Sequence, residues 1–362
     1  MKLAVLGVGL IGGSIGLAAR GRAGAQVCGY DPDGEVLDRA LALGAIDSRA
    51  ADIAEAVAQA QVVFVAAPVG ALAATVAAAL AAAGEDCVVS DVGSTKRLLA
   101  AAGADGRFIG GHPLAGAETA GVEHARADLF DGATWYLTPA QGATTGTLYE
   151  RLHRLLASLG AHPTAIDPET HDRLMARVSH LPHVLANLLV GGASDLLGEG
   201  KSERLPAVGP SFRDATRVAG ANSAIWTDIY MSNRDALIDC IEELSGRLAE
   251  VREWLAEGRA PALHDWNERA REQREVLLGS GLVGGEAGEP VQELRVSVPN
   301  RPGVIAEIAL ALGRAGVNIL DMALAPSQQE SQGVVALWIA GEEPLERAGG
   351  LIADLGFPVV RA

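Results

Sequence analysis

The chain has 362 residues, 49% of them hydrophobic, enough to build two or three domains with real cores. A formal net charge of -16 sets long-range repulsion against nucleic acid and anionic membranes, which excludes both as partners. Any anionic substrate must then be held by local positive charge, so individual arginines become informative.

The N-terminal MKLAVLGVGLIGG is apolar, but its glycines read as a strand and a turn rather than a secretion leader. No stretch approaches the ~20 apolar residues of a membrane span, so the expected location is cytoplasmic. As far as Asp167, short β-rich runs alternate with Ala-rich helical stretches. LAVLG, QVCGY, VVFVAA, CVVSD, RFIGG, TWYLT and HPTAID read as strands, with helices over Ser14–Arg20, Val36–Leu43, Ala71–Ala82 and Leu148–Leu159. The alternation predicts an α/β doubly wound sheet of Rossmann type over 1–167, mostly parallel and buried on both faces.

Strand patterns vanish over 168–282, and apolar residues recur at helical spacing. Ile238, Ile241, Leu244, Leu248, Val251 and Leu255 step along one face of a long helix. An all-helical second domain with such a stripe predicts burial against another helix or a second subunit, hence a homodimer. A Gly-rich stretch supplies a linker at 283–290. From 291 to 362 the pattern predicts a small βαββαβ domain. Cys28, Cys87 and Cys240 are scattered and odd in number, which points to core residues rather than disulfides or a zinc cluster.

Gly7-Val8-Gly9-Leu10-Ile11-Gly12 follows a strand and opens a helix, the context in which GxGxxG binds a dinucleotide pyrophosphate. Asp31 ends the second strand about 20 residues later, where a carboxylate accepts from ribose hydroxyls and repels an extra phosphate. The cofactor expected is therefore NAD, with Pro68 at the next strand end also lining it. Arg20 and Arg22 leave NADP tolerance open.

Three polar clusters carry candidate chemistry: Ser90–Lys96 at a strand end, Gly110–Thr119 after the next strand, and Ser179-His180-Leu181-Pro182-His183 in the helical block, with Arg213, Asp214 and Arg217 beyond. His112 sits between Gly and Pro residues that fix the backbone. His171-Asp172 and the His180/His183 pair are weighed as metal ligands and set aside, because carboxylate-rich surroundings are lacking.

GLIGGSIGLA, SDVGSTK, GGHPLAGAETAGVEHA, SHLPH and FRDATRVA with IWTDI occur in this order and resemble the prephenate/arogenate (cyclohexadienyl) dehydrogenase family. The resemblance spans roughly Gly7 to Asn233. It implies that His112 is the catalytic base toward the substrate hydroxyl, aligned by Ser94, and that Arg217 pairs with a substrate carboxylate. It further implies that Ser179, His180, His183 and Trp226 line the substrate pocket and that Glu118 stands at its entrance. Ala117 replaces a hydroxyl residue that some members carry, which puts any borrowed account of gating in doubt. Prephenate and arogenate remain open as substrates, a keto against an amino side chain. A β-hydroxyacid dehydrogenase or a non-catalytic sensor are the competing readings. Lys201, the only lysine of the helical block, has no β-hydroxyacid dehydrogenase motif around it.

Residues 294–319 resemble an ACT domain. The resemblance implies an amino-acid site formed by Asn300, Pro302, Gly303, Asn318 and Ile319, with tyrosine as the expected effector. A purely structural, dimerising module is the alternative.

Overall fold

In the computed structural model the described residues are 1–100, 102–116, 119–139, 146–198, 208–279, 291–299, 301, 303–326 and 332–361. They form two compact units, Met1–Leu248 and Ala249–Ala362.

The first unit begins with β1 (Lys2–Leu6), α1 (Leu10–Ala23), β2 (Gln26–Tyr30), α2 (Gly34–Ala42), β3 (Ser48–Arg49), α3 (Ile53–Val57), β4 (Val62–Val65), α4 (Val69–Ala82) and β5 (Val88–Asp91). The five strands make a parallel sheet in the order β3-β2-β1-β4-β5. The order in which strands are added across the sheet reverses between β1 and β4, so a crevice opens at their carboxyl ends, where ligands sit in open α/β sheets. Alternate residues of each strand serve opposite cores. Leu3, Val5 and Phe64 pack with Ile15, Ala18 and Ala19 of α1. Ala4, Leu6, Val63 and Val65 pack with Leu72 and Val76 of α4. Burial on both faces is why these strands read as unbroken apolar runs.

A smaller sheet follows: β6 (Gly110–Pro113), β7 (Thr134–Thr138), α5 (Thr147–Ser158) and β8 (His162–Ala165), with β6 antiparallel and β8 parallel to β7. Its approach to β5 is marked by a single parallel bridge, Val89 to Phe108. The strand expected at Arg107–Gly111 is displaced to Gly110–Pro113. Arg107 and Ile109 bond instead to Val89 of β5, and pairing with β7 begins only at Gly110.

The helical part comprises α6 (Pro168–Met175), a π-helical turn over Ala176–His180, α7 (Leu181–Gly198), α8 (Pro210–Thr216), a 3-10 turn over Arg217–Gly220, α9 (Ser223–Ser232) and α10 (Arg234–Ala256). Asp167 caps α6 by accepting the Thr170 N–H at 2.9 Å, and the Asn222 side chain caps α9. Helix α9 packs on α4. Thr95 donates to the Ser232 hydroxyl at 3.1 Å, so the helices close over the carboxyl end of β5.

The second unit continues with α11 (Ala260–Gly279), β9 (Val291–Pro299), α12 (Val304–Arg314), β10 (Asp321–Pro326), β11 (Gln332–Ala340), α13 (Glu342–Asp354) and β12 (Val359–Arg361). The four strands form an antiparallel sheet in the order β10-β11-β9-β12. Val296, Val298, Val335 and Leu337 pack against Ile308, Leu312, Leu345 and Ile352 of the two helices, giving the expected two layers. Strand β10 starts at Asp321, beyond Asn318 and Ile319. Its first ladder bond is from Leu320 N–H to the Trp338 carbonyl, and exposed Asn318 and half-buried Ile319 lie in the lead-in after the Gly316 turn. Gly303 caps α12 at φ +87°, while Asn300 and Pro302 fall outside the described residues.

Candidate active site

The glycines of the first turn are required by close approach. Gly7 has φ +94°, and a Cβ there would stand 2.5 Å from the Ala66 carbonyl oxygen. A Cβ on Gly12 would run into the Gly7 carbonyl. Gly9 precedes α1, whose N-terminus no side chain caps and whose first turn holds no acid. Its N–H groups and dipole are thus left for an anion, flanked by half-buried Leu10 and Ile11. Asp31 holds the turn from the other side, accepting from Val8 N–H and from Asp33 N–H, each at 3.0 Å. Pro68, exposed, caps α4 at the end of β4. Arg20 is paired with Asp47 at 2.8 Å, and Arg22 with Asp131 at 2.9 Å. Both guanidinium groups are therefore committed elsewhere. This cradle fits a dinucleotide without a 2′-phosphate.

At the neighbouring strand ends a buried ion pair fixes the backbone. Lys96 and Asp91 are 1% and 0% exposed and bonded to each other. Lys96 also donates to the Gly111 carbonyl at 2.6 Å, while Asp91 accepts the N–H groups of Gly111 at 3.0 Å and Gly93 at 2.8 Å. Burial holds the Lys96 ammonium below its ordinary value despite Asp91. The pair thus grips both polar groups of the residue before His112. A Cβ on Gly111 would meet the Asp91 carbonyl oxygen at 2.5 Å, so only glycine allows β6 this close.

His112 Nδ1 lies 2.9 Å from His171 Nε2, and His171 Nδ1 lies 2.8 Å from Asp172 Oδ1. Asp172 also accepts the backbone N–H groups of Lys96 at 2.8 Å and Arg97 at 3.0 Å. Burial, then the neighbouring His171, Lys96 and His180, push His112 well below the ordinary imidazole value. His171 and Asp172 were not expected here. They lie 59 and 60 positions from His112 in the chain, so no local spacing links them.

A second cluster continues the same wall. The Asn233 amide nitrogen donates to His180 Nδ1 at 3.2 Å and to the Asp172 carbonyl at 2.7 Å. Burial lowers His180 to about 4. Trp226 stands edge-on to His180 at 6.2 Å and stacks on His183 with centroids 3.6 Å apart. His183 Nδ1 is bonded to the Tyr230 hydroxyl, and burial lowers its imidazole also. Tyr230, on the helix that carries Trp226, joins this cluster and is not among the residues expected from the sequence. Helical spacing from Trp226 could have suggested it.

Of the expected site residues, the structure brings together His112, His180, His183 and Trp226. Ser94 is half-buried on the loop that carries Lys96, and Ser179 is half-buried in the π-helical turn. Arg217 is exposed and opens the 3-10 turn that packs on α7, the helix of His183. Glu118 lies outside the described residues.

Comparison with known proteins identifies three family models in order. Residues 15–164 match the prephenate dehydrogenase nucleotide-binding domain, 167–268 the prephenate dehydrogenase dimerization domain, and 293–356 the ACT domain. A prephenate dehydrogenase of Bacillus subtilis is 32% identical over 350 residues, covering 94% of this chain and 93% of the relative. A cyclohexadienyl dehydrogenase of Zymomonas mobilis is 33% identical, covering 70% of this chain and 88% of the relative. Among solved structures, prephenate dehydrogenase from Aquifex aeolicus in complex with hydroxyphenyl propionate and NAD+ superposes with TM-score 0.69 at 28% identity, covering 76% of this chain and 98% of that one. Synechocystis arogenate dehydrogenase gives TM-score 0.67 at 27% identity, covering 76% and 100%. The chain belongs to the prephenate dehydrogenase family.

Proposed function

We propose that this chain is an NAD-dependent dehydrogenase that converts prephenate to 4-hydroxyphenylpyruvate by oxidative decarboxylation, in the cytoplasm, as a step toward tyrosine. The observation that carries the reading is His112, anchored at the sheet's carboxyl edge and held neutral by burial. Gly7, Gly9, Gly12 and Asp31 would hold NAD, which would supply the hydride acceptor when bound. Everything else is the work of the chain's own groups. His112 accepts the proton of the ring hydroxyl, aligned by Ser94. Aromatisation of the ring makes the reaction downhill, so orientation and a proton acceptor matter more than raw activation. Arg217 offers a planar, permanently charged fork for a substrate carboxylate. Ser179, His180, His183 and Trp226 form the wall against which the ring and side chain rest.

The arogenate alternative keeps the same chemistry and changes only the side-chain contact near His183. The dimerisation surface includes Ile238, Ile241 and Leu248, all exposed on α10. The C-terminal module is assigned to feedback by tyrosine, and a stop codon after Gly284 should leave catalysis intact and abolish tyrosine sensitivity.

The deciding experiment follows NADH formation with prephenate and with arogenate. Prephenate should be the better substrate, and His112→Asn should lower kcat by ~10²–10⁴ without altering NAD binding. No NADH from either compound, or near-normal turnover by His112→Asn, refutes the assignment.

A further inference from the structure

We propose that His171 and Asp172 hold His112 in the tautomer whose lone pair sits on Nε2, and that His171 shares the proton His112 takes from the substrate until it is returned. The proposal rests on the dehydrogenase reading above.

Donor and acceptor accounting fixes each proton in turn. Burial pushes the Asp172 carboxyl up, but the hydrogen bonds from His171 and from the Arg97 and Lys96 backbone outweigh it and hold it below the usual range. An ionised carboxylate only accepts, so His171 Nδ1 donates to it across 2.8 Å. A neutral His171 then has a bare Nε2, which accepts from His112 Nδ1–H across 2.9 Å. His112 is left with its lone pair on Nε2, on the side of the ring away from His171.

The proton balance of the reaction gives this arrangement its use. The hydroxyl proton passes to His112 Nε2 as hydride leaves the ring carbon for NAD. The bond to the ring carboxylate then breaks, carbon dioxide departs, and the electron pair completes the aromatic ring. The resulting phenolate oxygen takes the proton back, so none is gained or lost overall. The base borrows a proton. Held on His112, the borrowed charge faces Lys96 and His180; passed along Nδ1 to His171, it lies against Asp172. His171 and Asp172 are both 0% exposed, which isolates the store from bulk water. The other groups around the relay are Asp91, paired to Lys96, Arg97, which reaches Asp172 at 3.4 Å, and Tyr136, edge-on to His171 at 5.6 Å. His171 is thus a positioning residue that acts through His112.

The test uses the full chain. In wild-type enzyme with 15N-labelled histidine, NMR at pH 8 should find His112 protonated on Nδ1 and bare on Nε2. His112→Asn assigns the signal. Asp172→Asn should leave the KM for prephenate nearly unchanged, lower kcat ~10²–10⁴-fold, and move the acid limb of the kcat profile to lower pH, because the carboxylate charge that raises imidazole basicity is gone. A merely structural loss would depress kcat at every pH and leave the limb in place, and that result overturns the relay. So does an active wild type with His112 protonated on Nε2, a measurement that needs no variant to fold. A wild type that forms no NADH from prephenate instead refutes the underlying reading.

Discussion

Replacing Lys96 by Met tests whether a buried charge, not a loop's sequence alone, holds His112 in place. Lys96 and Asp91 are 1% and 0% exposed, so the substitution strands a carboxylate in the protein interior. Breaking such a pair from one side costs about 3–5 kcal/mol. Asp91 keeps the Gly93 and Gly111 N–H groups at 2.8 and 3.0 Å, which draws the electrostatic part toward the lower end. The Gly111 carbonyl loses its donor, adding roughly 1 kcal/mol. The total expected is about 4 kcal/mol. The double variant Asp91→Asn with Lys96→Met leaves no net charge behind and should recover at least about half of that loss. Urea unfolding followed by tryptophan fluorescence reads both, since Trp135 is fully buried against Phe130 at 5.0 Å in the same part of the fold. In the single variant kcat should also fall, because β6 loses its anchor beside His112 and a shift of about 1 Å costs on the order of 100-fold. A single-variant loss under about 1 kcal/mol, or a double variant less stable than the single, would mean that the Lys96–Asp91 pair does not anchor β6.

Two further outcomes are expected. His180 stays neutral in the folded protein down to about pH 4 but protonates near its ordinary value of 6.5 when unfolded. Stability should therefore fall as pH drops from 6.5 toward 4, by on the order of 3 kcal/mol for this group; His180→Gln should flatten that part of the profile in thermal melts, and an unchanged slope would count against it. Asp31→Asn should raise the KM for NAD ~10–100-fold, the worth of a charged hydrogen bond, with the KM for prephenate unmoved; equal use of NAD by variant and parent would remove Asp31 from the cofactor site.

What could be read from the sequence was whatever a short stretch of chain specifies by itself. GxGxxG with its flanking strand and helix is a local pattern, as is the alternation that gave the parallel sheet and the small βαββαβ domain. The pairing of His112 with His171 was not readable, because it joins two strand and helix ends 59 positions apart through a helix that had first to be placed. Lys96 shows the same limit. It belonged to a visible polar cluster, but only tertiary packing turns it into the strut under Gly111. Gly16 falls inside the expected helix Ser14–Arg20, yet a Cβ there would run into the Ala45 carbonyl, a contact no local pattern specifies. The late start of β6 is not legible because residues 107–109 bond first to Val89 of β5, a partner fixed only by tertiary packing.

The wide turn at Ala176–His180 sets the rotational phase of the helix beyond it. At about 100° per residue, an unbroken helix would leave His183 about 120° around from His171. A π turn absorbs one residue without advancing the spiral, which brings the two to within about 20°. That single slip lets one continuous rod present Asp172 and His171 to the sheet and His180 and His183 to the aromatic wall. Tightening the turn to ordinary pitch would swing both later imidazoles away by about a quarter revolution, so the site's geometry is geared to one loosened coil.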